Sequence, residues 1–277
     1  MSSSMLKSLV IAALALINIF FLVVIGFDTV NDARTKRQAI ENVCAVLQKG
    51  GIAIDPDNVK SGGEIKTMKT SRGDETEAAI AHAVLGPTVM TDQGVIYQYF
   101  SETRGVAEFS SAGDFEIRLN EGAITETNGA LRTVQGILRD MKLEASGINV
   151  YGEPGNETVT AVSAYKGVSI YNCTIEFKFQ GGNLLTVKGR YITGITPAGE
   201  DTVISQAGTA LLGFYAAVRD ESREDIACTS ISSVEAGYQY RVVGTFGEGL
   251  ISPVWLFVTD TGQYIFDDAT GEVRMLP

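Results

Sequence analysis

Few residues in this chain are of a type that could do chemistry. There is one histidine, His82, between Ala81 and Ala83 in a helical run. A Ser-His-Asp relay would need it as base, and no G-x-S-x-G turn is present to raise a serine nucleophile. A lone histidine in that setting reads as a structural or surface residue. The three cysteines, Cys44, Cys173 and Cys228, lack metal-ligand spacing, and an odd count gives no disulfide framework. Cys173 and Cys228 both fall in strand-like runs, which leaves a disulfide between them and two buried free thiols both open. Asp267, Asp268 and Glu272 offer calcium-type oxygens without the spacing of an EF-hand loop, and a solvated turn fits them better. No G-x-x-x-x-G-K-[ST] loop or G-x-G-x-x-G fingerprint occurs. The expectation is a chain with no catalytic residue, no metal ligand and no cofactor.

The polar residue most out of place is Asn18. It lies in Leu9–Phe27, nineteen residues without a charge. At about 1.5 Å per residue a helix of that length spans roughly 28 Å, close to a hydrocarbon core of about 30 Å. A transmembrane helix is therefore expected at 9–27. Ser8, Ala12 and Ala15 stand at i, i+4 and i+7, with Asn18 on nearly the same face. Small residues and an amide are what helices use to pair in lipid, so these four are the expected partner-binding face. Cleavage as a signal peptide fits less well. Val24-Ile25-Gly26 is a poor cut site, and the apolar run exceeds the usual 7–15 residues.

Lys7 precedes the run, and Arg34, Lys36 and Arg37 follow it; counted alone, these charges favour a cytoplasmic domain. Only eight residues precede the run, as in a signal anchor, and the bulk of the chain is acidic. The expectation is a single-pass protein of the cell membrane, with its amino terminus cytoplasmic and its C-terminal domain extracytoplasmic.

The 277 residues are 45% hydrophobic and 20% charged, enough for a large buried core. A net charge of −11 excludes a phosphate-backbone binder, so no nucleic acid is expected as partner.

Residues 28–49 read as a helix with Ile40, Val43, Cys44 and Leu47 as its apolar stripe, ended by Gly50-Gly51. Asp74–Leu85 is a second helix, with Asp74 and Glu77 at capping-box spacing and Gly86-Pro87 as its stop. Strands are expected at Gly94–Ser101, Gly105–Ser110 and Asp114–Leu119. A helix at Asn128–Glu144 carries Leu131, Val134, Leu138 and Met141, and strands follow at Thr158–Ala164, Val168–Gln180 and Asn183–Ile192. Gly181-Gly182-Asn183 signals a tight hairpin. A third round has a helix at Thr202–Arg219 and strands at Thr229–Val243, Pro253–Asp260 and Gln263–Asp267. The expected fold class is α+β, a single N-terminal transmembrane helix followed by repeated helix-on-antiparallel-sheet units of PepSY/cystatin-like form. The expected division is 1–8 cytoplasmic, 9–27 transmembrane, 28–127 an extracytoplasmic α+β subdomain, and 128–277 helix-plus-meander repeats.

Two blocks carry a family resemblance. One is Leu16-Ile17-Asn18-Ile19-Phe20-Phe21, Arg37-Gln38-Ala39-Ile40-Glu41-Asn42-Val43 and Leu47-Gln48-Lys49-Gly50-Gly51-Ile52. The other is Val234-Glu235-Ala236-Gly237-Tyr238, Pro253-Val254-Trp255-Leu256-Phe257-Val258-Thr259-Asp260, Gly262-Gln263-Tyr264-Ile265-Phe266-Asp267 and Ala269-Thr270-Gly271-Glu272. Together they resemble the YycI proteins of Gram-positive bacteria, relatives of YycH, and the second block is similar to a PepSY-like module. The resemblance implies a non-enzymatic, membrane-anchored regulator. It implies a sensor histidine kinase of a two-component system controlling cell-wall metabolism, and a YycH-like protein, as partners. The alternative expectation is an anchored or secreted PepSY-like binding module or protease inhibitor with no link to a kinase.

Overall fold

The computed structural model describes residues 34–276 except 61, 63–64, 72, 95, 111–112, 200–203, 221–225 and 244–247. Helix α1 (34–49) ends where expected. Gly51 is left-handed (φ 87°), and Ile52 N–H donates back to the Leu47 carbonyl. A glycine takes that conformation without a Cβ clash. Next come β1 (Ala53–Ile54), a 3-10 turn capped by Asp55, β2 (Met68–Thr70) and α2 (Asp74–Leu85). A four-stranded run follows: β3 (Val89–Asp92), β4 (Ile96–Ser101), β5 (Gly105–Ser110) and β6 (Asp114–Leu119). Helix α3 (Ala130–Asp140) leads into β7 (Ala145–Tyr151), β8 (Thr158–Tyr165), β9 (Val168–Gln180), β10 (Asn183–Arg190) and β11 (Thr196–Pro197). Helix α4 (Ala207–Val218) precedes β12 (Ser230–Val242), β13 (Gly249–Thr259), β14 (Gln263–Asp267) and β15 (Glu272–Met275).

These strands do not form separate helix-on-sheet units, and the expected repeat is corrected on that point. They form one mixed fifteen-stranded network, ordered β11-β2-β13-β12-β9-β10-β6-β5-β4-β3 along its main path. Its physical cause is β9. Thirteen residues at about 3.3 Å each reach roughly 43 Å, far enough to serve two neighbourhoods. Strand β8 pairs along its whole length on one side; on the other side β10 pairs with the C-terminal half of β9, and nearer its start Ile170 pairs in parallel with Tyr238 of β12. Strand β10 pairs on its far side with β6, so the second strand group is stitched to the first (Val187 opposite Ile117). Strand β1 also runs parallel to β12.

The expected span Leu9–Phe27 lies outside the described residues, as do Ser8, Ala12, Ala15 and Asn18. Among the described residues no helix is long and apolar enough to cross a membrane. The single-pass anchor, and the cell-membrane localisation read from it, are corrected accordingly.

Two cores flank the junction in β9. In one, Ile80 and Val84 of α2 and Val134 and Leu138 of α3 pack on Tyr99, Phe109, Ile117 and Phe177. In the other, Cys44 and Leu47 of α1 and Leu211 and Phe214 of α4 pack on Trp255, Phe257 and Tyr238. The Phe214 and Phe257 rings stack at 4.1 Å. Each such fully buried side chain is worth about 1.5–3 kcal/mol relative to exposure. The α3 stripe is shifted from the expected one: Leu131 is exposed, and Ile137 joins the core instead.

At the junction the Asn172 amide acts as a piece of strand. Its Nδ2 donates to the Tyr240 carbonyl (2.7 Å), and its Oδ1 accepts the Tyr240 N–H (2.8 Å). The Tyr171 hydroxyl reaches the Ala236 carbonyl (3.2 Å), and Arg190, held by Asp114 in a two-pronged contact, lies over the Tyr240 ring.

The capping box expected at α2 does not form. Gly73 takes the N-cap with no side-chain bond. Glu77 is fully buried instead and accepts the Tyr191 hydroxyl, tying α2 to the chain that leaves β10.

Candidate protein-binding edge

The potentially reactive side chains are dispersed. His82 is exposed, and its Nδ1 lies 2.8 Å from the Gly86 carbonyl at the end of its own helix. Cys44, Cys173 and Cys228 are all free thiols. Burial pushes the Cys173 thiol up to about 12 and the Cys228 thiol to about 11, and raises Cys44 as well. A raised thiol is a poor nucleophile at neutral pH. Asp268 accepts the Ser205 N–H, Asp267 accepts the Ala269 N–H, and Glu272 pairs with Arg274. Among the described residues no group of three or more histidine, cysteine, aspartate or glutamate side chains could hold a metal.

The broad face of the sheet near β6 and β10 is charged and internally neutralised. Arg118 bridges Glu108 and Glu116, Lys178 and Lys188 share Glu176, and Arg190 pairs with Asp114. Exposed pairs of this kind contribute about 0–1 kcal/mol each. Their cations are paired within the face.

The edge at β3 is different. Gly86-Pro87 ends α2, and Val89, Met90 and Thr91 then run extended to a turn. Asp92 Oδ1 accepts the Gly94 N–H (2.7 Å), Gly94 has φ 84°, and Gln93 N–H donates to the Ile96 carbonyl. This turn folds β3 back onto β4 with Val89 opposite Phe100 and Thr91 opposite Gln98. Opposed residues share a face, and alternate residues of one strand do too. Val89, Phe100 and Ile96 therefore stand together on the face opposite Tyr99, which is buried edge-on against Phe109. Val89 is 70% exposed, Phe100 53%, Met90 51% and Ile96 40%.

Among the described residues β3 pairs only with β4, which leaves its outer side as a sheet edge. Sheet edges are normally blunted by a lysine, a proline, a bulge or charge. Strand β11 ends in Pro197, β7 carries a register shift between Ala145 and Gly147, and β15 carries Glu272 and Arg274. Strand β3 reads Val-Met-Thr-Asp, with all four residues exposed, no lysine, no proline and no register shift; its one charge, Asp92, stands at the turn end of the strand. The sequence reading missed it because four residues are too few for alternation to register. The signal was Val89-Met90-Thr91 caught between Gly86-Pro87 and the Asp92–Gly94 turn.

No family model matches the chain, and no curated protein matches it. Two solved structures are similar to it. One is the crystal structure of an uncharacterized protein from Eubacterium rectale ATCC 33656, at 11% identity and TM-score 0.44 over 79% of this chain and 86% of that one. The other is the Bacillus megaterium YpeB C-terminal domain, at 13% identity and TM-score 0.35 over 75% of this chain and 99% of that one.

Proposed function

We propose that this chain is a non-enzymatic regulatory binding module that takes an extended segment of a partner protein as an added strand beside β3. One observation carries the reading: β3 is a sheet edge without lysine, proline or register shift, flanked by exposed Val89, Met90 and Phe100. Strand addition draws affinity from backbone hydrogen bonds and specificity from alternate side chains. The segment that fits has apolar residues at alternate positions, to meet Val89 and Phe100. It carries a basic residue, to complement Asp92 and the chain's net charge of −11. The partner class is the one the YycI-like blocks imply, a sensor histidine kinase acting together with a YycH-like protein.

The test is photocrosslinking in cells that make the kinase, with a photoreactive residue at Met90 and, as comparison, at Val150 on the β7 edge. The reading expects a Met90-specific adduct with a short extended segment of the kinase or the YycH-like protein. Adducts with a peptidase would support the binding-module or inhibitor alternative over kinase regulation. The same adducts from both positions, or none from Met90, would remove the β3 edge from the function.

A further inference from the structure

A second site stands apart from β3. A cavity of about 430 Å³ opens beside β2, β12, β13 and the end of β14. Sheet register builds it. Lys69 lies opposite Leu250, and Leu250 lies opposite Arg241, so the three form one row across β2, β13 and β12. Residues in such a row share a face, and at about 4.8 Å per strand the two basic residues start roughly 10 Å apart. Side chains as long as lysine and arginine can converge over Leu250 from that separation. Ser252, two residues along β13, adds a hydroxyl to the same face.

Among the described residues the two cations are at most lightly engaged. Lys69 is exposed and has no ion pair or side-chain hydrogen bond among the described residues. Arg241 has one long contact, Nη2 to Asp267 Oδ2 at 3.4 Å, and its side chain is 42% exposed while that of Asp267 is 4% exposed. A buried carboxylate with one oxygen on the Ala269 N–H and the other toward Arg241 fixes the guanidinium from behind. Of the five guanidinium donors, one is directed at Asp267, and Arg241 lines the cavity.

From this geometry we infer a binding site for an organic monocarboxylate with an apolar arm. Lys69 and Arg241 receive the carboxylate, Asp267 positions Arg241, and Leu250, Ile204 and Pro253 line the space for the arm. Asp267 and Asp268 balance the two cations, so a dianion such as phosphate meets two carboxylates as well as two cations, whereas a monoanion needs less positive charge. The volume falls within the range of small-ligand sites, about 300–1,000 Å³. A peptide carboxyl terminus and a free small acid share this chemistry. The inference does not depend on strand addition at β3.

The experiment is a chemical-shift titration of the full chain with N-acetyl-leucine, N-acetyl-leucinamide and an acetylated tetrapeptide ending in leucine with a free carboxylate. Losing a charge-assisted hydrogen bond weakens binding by about tenfold or more. The acid should therefore bind at least about tenfold tighter than the amide, and Lys69→Met and Arg241→Met should each remove that preference. A tetrapeptide that binds tighter than N-acetyl-leucine identifies a peptide terminus as the source, and one that binds weaker identifies a small acid. Equal affinity for acid and amide, no saturable binding of either acid, or an unchanged preference in Lys69→Met would overturn the site. If Arg241→Met unfolds because Asp267 is left buried and alone, Lys69→Met still decides, since Lys69 is exposed.

Discussion

Replacing Asn172 by alanine should loosen the joint between the two cores. Its amide makes two hydrogen bonds to the backbone of Tyr240, at 2.7 and 2.8 Å, and Tyr240 is itself buried. A typical net hydrogen bond is worth about 1 kcal/mol, and a stranded backbone group costs somewhat more, so the loss is about 2–3 kcal/mol. For a chain of this length each kcal/mol moves the melting temperature by about 2–4 °C, giving a fall of roughly 4–12 °C. Differential scanning calorimetry of the wild type and Asn172→Ala reads this directly. It also shows whether one transition broadens or splits, as it should if the amide couples two cores. Asn172→Asp keeps the acceptor but sets a carboxylate oxygen against the Tyr240 carbonyl, and should fall at least as far as Asn172→Ala. An Asn172→Ala melting temperature within about 2 °C of the wild type would mean that β9 and β12 are held by packing, and would refute the amide's role as a surrogate strand.

Further predictions concern the thiols and the carboxylates. Cys173, pushed up to about 12, should resist iodoacetamide in the native chain at pH 8, and Cys228, at about 11, should react about a hundredfold slower than an ordinary thiol; mass spectrometry reads both, and fast native labelling of Cys173 would contradict its burial. The unfolded chain loses its thiol protons first, so stability should fall by about 1.4 kcal/mol per pH unit for Cys173 above about pH 8.5, readable as a falling urea midpoint. In acid the sign reverses. Glu235 is held below the usual carboxylate range by the hydrogen bond from Lys60, and Asp260 by Thr229 and the Ser230 N–H. Their contribution is present above about pH 4 and is lost as the pH falls through their lowered folded-state values, so Glu235→Gln and Asp260→Asn should flatten the urea midpoint between pH 5 and 3.

Local features of the fold were legible in the sequence. Helix α2 and strands β5, β6, β9 and β14 sit at the expected residues, because glycine and proline mark their ends and their patterns are strong. The Gly181-Gly182 turn forms with both residues at positive φ, as a hairpin of its type needs. Tertiary pairing was not legible. Nothing local to Val187 specifies Ile117 as its neighbour, or local to Ile170 specifies Tyr238, and those two pairings turn apparent repeats into one sheet. Glu77 shows the same limit: three residues after Asp74 it reads as a capping partner, yet core packing turns it toward Tyr191. The candidate sites were hidden for related reasons. Strand β3 is only four residues long, and Lys69 and Arg241 are far apart in the chain and meet only through the register of β13.

The central claim is that β3 is where a partner strand is added. The most direct measurement is affinity for the mapped partner segment, by fluorescence anisotropy, for the wild type, Val89→Lys and Met90→Lys. Both residues are exposed, so folding should be unchanged, while a lysine at the edge opposes strand pairing. The account predicts at least about a tenfold loss of affinity in each variant with an unaltered melting temperature, a change of about 1.4 kcal/mol. Wild-type affinity in both variants would contradict it.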